Sequence, residues 1–277
     1  MNRVQKIPAE QRLPCFSLLK QGEKNFPMRF SKFTTRRIIL FLLFAGLSIS
    51  NGLTQEPLKV LILTGFDSGS HKWRETTPLV RSILEETNRF EVRVSEDIAI
   101  LGSSSLDLYD TIVLNFGFWE KPEPSQEAMH GLLEFVRQGN GLVSLHFACS
   151  SFQNWASYGE LLGRVWKEGT GGHGPRGKFM VNMVARFHPI TRGLLDFEAD
   201  DELYAKLSGD SDIEILASAH SDWSGRVEPI VFVKQFGSGR VYHNVLGHDV
   251  RARQLEPVRT LVRRGVEWAA TGQVTID

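Results

Sequence analysis

The segment 139–149, which reads GNGLVSLHFAC, constrains the fold of this chain more than any other stretch of the sequence. Its apolar residues follow a Gly-Asn-Gly turn and form a run of the length expected for a buried strand in a parallel sheet. A histidine, His146, comes directly after this run. Because open α/β sheets bind ligands beyond the carboxyl ends of their strands, we predict that His146 points into a functional crevice.

Strand-like and helix-like patterns alternate along residues 58–270. Alternation of this kind is typical of βαβ units, so we predict an α/β fold with a three-layer, doubly wound and mostly parallel sheet. The segment 170–177 reads TGGHGPRG and is predicted to be a loop whose glycines let the backbone approach a ligand closely. The predicted strands lie near residues 58–64, 90–94, 111–115, 142–145, 178–185, 213–219, 230–235 and 241–246, and the predicted helices near 75–86, 125–138 and 257–270, with a short helix that ends at Gly163.

The first 54 residues have the pattern of a leader that includes a signal peptide. Met28 is the expected functional start, and it is followed by basic residues, by the apolar run 38–49 and by small residues suited to cleavage. The apolar run is shorter than the roughly 20 residues that a membrane-spanning helix needs, so we expect no permanent membrane span. We therefore predict export to the periplasm or out of the cell, and a single domain over residues 55–277.

The charges of the chain argue against nucleic acid as a partner. Lys and Arg together number 32, as do Asp and Glu, and several of the basic residues lie in the predicted leader. The domain therefore lacks a basic stripe that would hold a phosphate backbone. A glycine-rich nucleotide-binding motif is absent as well.

Cys149 is the single cysteine that remains once the predicted leader is removed. An exported domain with one thiol has no intramolecular disulfide, and the CxxC spacing of a zinc site is absent. The sequence therefore favours a small buried residue at this position over a nucleophile.

Histidines lie in predicted loops or just beyond predicted strands at His71, His146, His173 and His248. Imidazole exchanges protons near neutral pH and also binds metals, so their convergence in one crevice would support either chemistry. The alternative is that each histidine makes a structural hydrogen bond. Glu202 could orient a histidine or bind a hydroxyl group, and its alternative role is that of a solvated residue in an acidic turn.

The spacing of residues along the sequence identifies neither a metal site nor an aromatic surface for binding sugar. HExxH and CxxC are missing, so a divalent metal would need ligands that are distant in sequence. Tryptophans in predicted loops or at element edges are candidates for stacking on sugar rings, although buried packing is the default role of so large a side chain. These residues are Trp119, Trp155, Trp166 and Trp223.

Several sequence blocks, taken in order, resemble the ThuA-like family, which is named for trehalose utilisation. They extend over residues 60–270, which is essentially the whole predicted domain. The blocks are Thr64-Gly65 with His71 and Trp73, GNGLVSLH at 139–146, GGH at 171–173, HPITRG at 188–193 with DELY at 201–204, GSGRVYHNVLGHD at 237–249, and GVEWA at 265–269.

The resemblance implies a fold similar to flavodoxin and to the class I glutamine amidotransferases. In those amidotransferases a cysteine nucleophile occupies the elbow at a strand end, and a later strand end supplies its histidine and acid. Here His146 takes the elbow position and Cys149 lies three residues further on, so glutamine hydrolysis is not expected. His248 and Asp249 retain a histidine and a carboxylate at the later strand end.

The resemblance also implies a role in carbohydrate metabolism, with trehalose-like disaccharides or their 3-keto derivatives as substrates. We predict that His146, His248 and Glu202 carry acid–base catalysis. The predicted substrate-binding residues are His71, Trp73, His173, Asp201 and Asp249. One alternative is a non-catalytic module that captures a saccharide or docks onto a partner sugar oxidoreductase. The other alternative is a structural scaffold, in which the histidines would face away from one another.

Overall fold

The computed structural model describes residues 56–66, 69–119 and 122–277. Internal contacts divide the chain into the units Met1–Gly52 and Leu53–Asp277, and the described residues all belong to the second unit. The predicted leader lies outside the described residues, so the signal peptide, the export and the domain boundary stay predictions. Within the described part of the chain, the helices are too short or too polar to cross a membrane.

The described residues form strands, α-helices and short 3-10 helices. The strands are β1 (Leu58–Leu63), β2 (Phe90–Ser95), β3 (Thr111–Leu114), β4 (Gly141–Leu145), β5 (Gly172–His173), β6 (Gly177–Met183), β7 (Phe197–Asp201), β8 (Tyr204–Ala205), β9 (Glu214–Ser221), β10 (Arg226–Phe236) and β11 (Gly239–Asn244). The α-helices are α1 (Trp73–Glu85), α2 (Gln126–Arg137), α3 (Ala156–Leu162), α4 (Val250–Arg253) and α5 (Glu256–Thr271). The 3-10 helices are Ile98–Gly102, Ser104–Leu108 and His146–Ser150.

A nine-stranded sheet organises these elements in the order β2-β1-β3-β4-β11-β10-β9-β6-β7. The strands from β2 to β11 pair in parallel, and those from β11 to β7 pair antiparallel. Helix α5 packs against β3, β4 and β11, while α1 packs against β2 and α5. The predicted α/β class with a doubly wound parallel sheet is confirmed, and the antiparallel strands extend that sheet on one side.

The parallel strands form the centre of the core. All of β3 and β4 is buried, as is β1 from Val60 to Leu63, which is the pattern of strands covered on both faces. The flanking helices have defined ends. Ser125 accepts a hydrogen bond from the backbone of Ala128 at the start of α2, and Gly272 ends α5 in the left-handed conformation. The strand ends that carry the site therefore project from a rigid apolar frame.

Strand β7 was not predicted from the sequence. It reads FEADD, whose acidic residues hide the alternation expected of a strand. It lies at one edge of the sheet, paired with β6, and charged side chains are tolerated and protective at such an edge. The predicted loop 170–177 also contains the two-residue strand β5, which pairs with β8. Because Glu202 follows β7 directly, this unpredicted edge strand supplies part of the site.

Candidate functional site

His146 lies at the carboxyl end of β4, where the chain turns into a 3-10 helix. Its φ of +46° falls in the left-handed region, and such strain is characteristic of functional positions. The residue is 1% exposed, and its Nδ1 lies 2.6 Å from the carbonyl oxygen of Val245. Since a carbonyl oxygen only accepts hydrogen bonds, Nδ1 donates, and Nε2 of the neutral ring keeps its lone pair.

Glu202 brings a carboxylate to His146 and to two further histidines. Its Oε2 lies 3.8 Å from Nε2 of His146, 3.6 Å from Nε2 of His173 and 3.0 Å from Nδ1 of His248. The glutamate side chain is largely enclosed, with 14% of its surface exposed. The structure thus brings together the three residues predicted for acid–base catalysis, while their catalytic role stays a prediction.

His71 joins the cluster from the segment between β1 and α1. Its ring stacks on Phe147 at a centroid distance of 3.8 Å, and its Nε2 lies 3.1 Å from the hydroxyl oxygen of Tyr204. The centroid distances from His71 to the rings of His146 and His248 are 5.2 Å and 4.7 Å. The aromatic contacts therefore hold this ring against the other two imidazoles.

The charge state of the cluster follows from burial and from these mutual contacts. Burial, together with repulsion from His146 and His248, lowers the pKa of His71 to about 2, so this ring is neutral at physiological pH. Burial acts to raise the pKa of Glu202, but the neighbouring histidines hold it well below the usual range of a glutamate. The same carboxylate raises the pKa of His248. At neutral pH the centre therefore contains an ionised carboxylate among imidazoles.

Four of these side chains have the geometry of a metal-ligand set. One ligand atom from each of His71, His146, Glu202 and His248 lies within 4.8 Å of the others. Three of the atoms are buried and make no well-aligned hydrogen bond within the described residues, although Oε2 of Glu202 forms ion pairs with Nε2 of His146 at 3.8 Å and Nδ1 of His248 at 3.0 Å. Buried polar atoms normally have partners, and a cation bound by all three would provide one. Imidazole nitrogens combined with a carboxylate oxygen suit Zn²⁺ or a similar divalent transition metal.

Asp201, a predicted substrate-binding residue, contacts backbone groups of the protein. It is 2% exposed, and its carboxylate accepts hydrogen bonds from the backbone N–H groups of Glu202, Gly247 and His248. Both oxygens are thereby occupied. Asp201 joins the end of β7 to the segment after β11, and so it positions Glu202 and His248 relative to each other.

Asp249, also predicted to bind substrate, likewise contacts protein groups. One of its oxygens accepts a hydrogen bond from the backbone N–H of Ala252 at 2.8 Å and so caps α4. Its other oxygen forms an ion pair with Arg176, which also contacts Asp200 at 3.1 Å. Because Arg176 belongs to the loop that carries His173, Asp249 anchors that loop and does not join the histidine cluster.

Aromatic residues that the sequence analysis did not assign to the site support the histidines. The ring of Tyr204 lies 4.2 Å from that of His146, between centroids, and Phe147 covers His71. Close approach of Phe147 depends on Gly117, where an added Cβ would lie 1.9 Å from the phenyl ring. Nothing in the sequence distinguishes these aromatic residues from ordinary core residues.

The tryptophans considered for sugar stacking do not form one platform. Trp166 packs against Tyr204 and His173, with ring centroids 4.7 Å and 5.7 Å away. Trp155 stacks on a tyrosine of α3. Trp223 is 45% exposed, and the ammonium group of Lys206 lies 4.6 Å from its ring centroid. Trp119 and Trp166 lie in contact, with ring centroids 6.3 Å apart, and stacking on sugar stays a candidate role beside buried packing.

The histidine cluster lines a small cleft at this edge of the sheet. Among its lining residues are His71, Trp73, His146, Phe147, His248 and Arg253. Trp73, a predicted substrate-binding residue, thus lies in the wall of the cleft beside the histidines.

Comparison with known protein families identifies the chain. The family model described as ThuA, trehalose utilisation, matches residues 59–269. The chain belongs to the ThuA family. The match includes every residue of the cluster, from His71 to His248, and membership of the ThuA family indicates a carbohydrate-related function.

Solved structures share the ThuA fold. A ThuA-like protein from Parabacteroides merdae is 30% identical, with a TM-score of 0.71 over 80% of this chain and 92% of its own. A ThuA-like protein from Bacteroides uniformis is 18% identical, with a TM-score of 0.64 over 80% of this chain and 94% of its own. A cytoplasmic protein from Salmonella typhimurium is 17% identical, with a TM-score of 0.54 over 76% of this chain and 99% of its own. The last two show the fold alone, and no curated protein matches the chain.

Proposed function

We propose that this ThuA-family protein is an enzyme that uses a divalent transition metal and acid–base chemistry to process trehalose-like disaccharides or 3-keto-glycosides. The observation that carries the proposal is the convergence of His146 Nε2, His248 Nδ1 and Glu202 Oε2, three buried atoms of metal-ligand type that make no well-aligned hydrogen bond in the described residues. A poorly satisfied buried polar atom costs about 1–3 kcal/mol, and a cation at the point where these atoms converge would satisfy all of them at once. Membership of the ThuA family, described as trehalose utilisation, makes sugars the expected substrates.

The residues present fit a divalent metal, and His71, His146, Glu202 and His248 would hold it. Such an ion supplies Lewis-acid polarisation of a carbonyl oxygen and lowers the pKa of a neighbouring water. The hydrogen bond from Nδ1 of His146 to the carbonyl oxygen of Val245 fixes the tautomer in which Nε2 can bind a metal. The protein thus prepares at least one ligand nitrogen before any metal enters.

His173 is the side chain best placed to move a proton beside this ligand set. Its Nδ1 lies 2.6 Å from the carbonyl oxygen of Gly174, so Nε2 of the neutral ring keeps its lone pair. That Nε2 lies 3.6 Å from Oε2 of Glu202, and 31% of the side chain is exposed. With His146 and His248 acting as ligands, the proton exchange first predicted for them passes to His173.

A 3-keto-glycoside gives this base a suitable proton. Nε2 of His173 accepts the proton from the carbon next to the ketone, and the C–H electron pair moves towards the ketone oxygen. The electron pair then forms a C=C bond as the glycosidic C–O bond on the next carbon breaks, and the ring donates the same proton to the departing oxygen. Because a 3-keto-glycoside forms by oxidation of a secondary alcohol, the proposal includes a partner sugar oxidoreductase that supplies it.

The test is incubation of the purified full chain with trehalose, related disaccharides and their 3-keto forms, with products followed by mass spectrometry. We expect turnover of at least one sugar, its loss with EDTA and its recovery with Zn²⁺ or Mn²⁺. His173→Ala should lower the rate by roughly a hundredfold or more, since acid–base groups contribute about 10²–10⁴. The matched control is His220→Ala, because His220 is exposed and lies 3.3 Å from Asp222, outside the cluster.

Two results would contradict the proposed reaction. Saturable sugar binding with every ligand returned intact would support the non-catalytic binding module instead. Hydrolysis of glutamine by the wild-type protein would restore the amidotransferase chemistry that the position of His146 argues against.

Replacing Gly117 by alanine is expected to weaken metal binding at least tenfold. The new Cβ would overlap the ring of Phe147, and that ring would have to leave its stacked position on His71. Overpacking of this kind should also lower the free energy of unfolding by about 1–3 kcal/mol. The measurements are Zn²⁺ affinity, from competition with a chelator, and urea unfolding.

Gly159→Ala is the control for that substitution, because its added Cβ would lie 3.5 Å from Val165, an ordinary contact distance. Unchanged zinc affinity in the Gly117→Ala protein would show that Phe147 does not set the position of His71.

A further inference from the structure

The wall of the cleft contains a buried cation that the metal-ligand set does not use. Arg253, the last residue of α4, is 4% exposed, and its Nε donates a hydrogen bond to the carbonyl oxygen of Gly247 at 2.7 Å. Its Nη1 is buried and has no acceptor within the described residues. Burial lowers the pKa of Arg253 to about 10, so the guanidinium remains charged at neutral pH.

The carboxylates that act electrostatically on this guanidinium are already engaged. Both oxygens of Asp201 accept backbone N–H groups, and Asp249 is occupied by the cap of α4 and by Arg176. These carboxylates favour the charged form of Arg253, because they act to raise its pKa, but they leave Nη1 without a hydrogen bond. The cation therefore retains a donor without an acceptor, on a residue that lines the cleft.

A second unpaired donor lies in the wall of the same cleft. Trp73 is the first residue of α1, and its Nε1 is buried without an acceptor in the described part of the chain. The guanidinium carbon of Arg74 lies 4.2 Å from the centroid of the indole ring, which supports the orientation of that ring. Trp73 and Arg253 both line the cleft that His71, His146 and His248 also face.

We propose that Trp73 and Arg253 form a subsite for an anionic oxygen, beside the histidine cluster. Two buried donors, one of them a cation, match a negatively charged oxygen better than a hydroxyl group, since a hydrogen bond from an ionised donor to an anion is the stronger kind. The subsite would take a carboxylate of the ligand or the oxygen that becomes negative when a proton leaves the neighbouring carbon. This inference rests on the proposed function for the identity of the ligand, but not for the binding itself.

Acetate is the probe, and the tryptophan indole groups are the reporters. The sequence contains six tryptophans, and the indole signal of Trp73 is identified in a ¹H–¹⁵N spectrum by its absence from Trp73→Phe. We expect acetate to move this signal downfield, saturably, in protein treated with EDTA as well as in protein loaded with Zn²⁺. Neutral acetamide, which has the same shape, should leave it in place.

Acetate affinity is compared on the backbone ¹H–¹⁵N signal of Arg253, which both proteins retain, and Trp73→Phe should weaken binding about tenfold because it removes one hydrogen bond to a charged group. Its melting temperature should stay the same or rise, since the N–H has no partner in the protein. Arg253→Gln should weaken acetate binding at least as much, although loss of its bond to Gly247 also threatens folding. Trp73→Phe therefore keeps the test decisive.

Equal acetate affinity in the wild-type and Trp73→Phe proteins, or equal response to acetate and acetamide, would overturn the subsite. Competition by glucuronate but not by glucose would assign it to a carboxylate carried by the ligand. A lowered kcat of Trp73→Phe on a neutral keto-sugar would assign it to the oxygen that becomes charged during reaction. Failure of the proposed enzyme activity would leave the acetate result unchanged, so the two proposals can fail separately.

Discussion

Replacing Glu202 by glutamine is expected to reduce turnover at least about a hundredfold and to release the metal, while the protein stays folded. Oε2 of Glu202 is the atom on which His146, His173 and His248 converge, at 3.8, 3.6 and 3.0 Å. Glutamine has almost the same shape but no charge, so it neither balances a divalent cation nor holds the imidazoles by ion pairing. The measurements are metal content by mass spectrometry and the rate on the best sugar substrate.

Glu198→Gln is the matched control. Glu198 lies in β7, four residues before Glu202, and its exposed carboxylate pairs with Lys178 at 2.8 Å. Exposed pairs contribute about 0–1 kcal/mol, so this variant should keep its metal and its activity. A Glu202→Gln protein that retained both would show that the histidine cluster is not the reaction centre.

Replacing Glu267 by glutamine is expected to cost about 3–5 kcal/mol of unfolding free energy, without a direct effect on the site. Glu267 in α5 is fully buried and pairs with Arg89 at 2.7 Å. Its oxygens also accept hydrogen bonds from the hydroxyl and N–H of Thr275 and from the N–H of Ile276. Removing the charge leaves the guanidinium of Arg89 buried without its counterion. For a domain of this size the melting temperature should fall by about 10 °C.

The pH dependence of stability gives a second readout of Glu267. Burial acts to raise its pKa, but the hydrogen bonds from Thr275 and Arg89 lower it below the usual 4.5. A lowered folded-state pKa means that this contribution is present at neutral pH and is lost as the pH falls from about 4.5 through the folded value. The glutamine variant should lack that part of the acid sensitivity.

Glu256→Gln is the control on the same helix, because Glu256 is 66% exposed in its pairs with Arg259 and Arg263. It should change stability by at most about 1 kcal/mol. Unfolding of Glu267→Gln within that same margin of wild type would mean that the buried pair is not important for stability.

The sequence predicts the parallel part of the fold and two of the clustered histidines for one physical reason. Strands β4 and β11 are buried apolar runs, they pair directly, and His146 and His248 follow them in the chain. The carboxyl ends of neighbouring parallel strands meet at one edge, so residues just beyond them meet as well. His71 follows from the same rule, because β1 lies in the same parallel part of the sheet.

Glu202 was named from the sequence, but its position could not be derived in this way. It follows β7, at the far antiparallel edge of the sheet, and local pattern does not predict which distant edge strand reaches the centre. The burial of Arg253 is even harder to predict from the sequence. It lies in the sequence VRARQ, which is typical of an exposed helix end, and its burial depends on contacts with remote residues. The positions of Glu202 and Arg253 in the site therefore depend on tertiary packing, which the local sequence pattern does not reveal.

The ligand atoms of the cluster come from both ends of the described domain, since His71 follows the first strand and His248 follows the last. A chain still emerging from the ribosome therefore lacks the complete set until nearly all of the domain has been made. Glu202 arrives through the edge strand and is fixed by Asp201 only after the segment beyond β11 has docked. Uptake of the proposed metal ion should accordingly be a late event that reports completed folding, in whichever compartment the domain reaches its final shape.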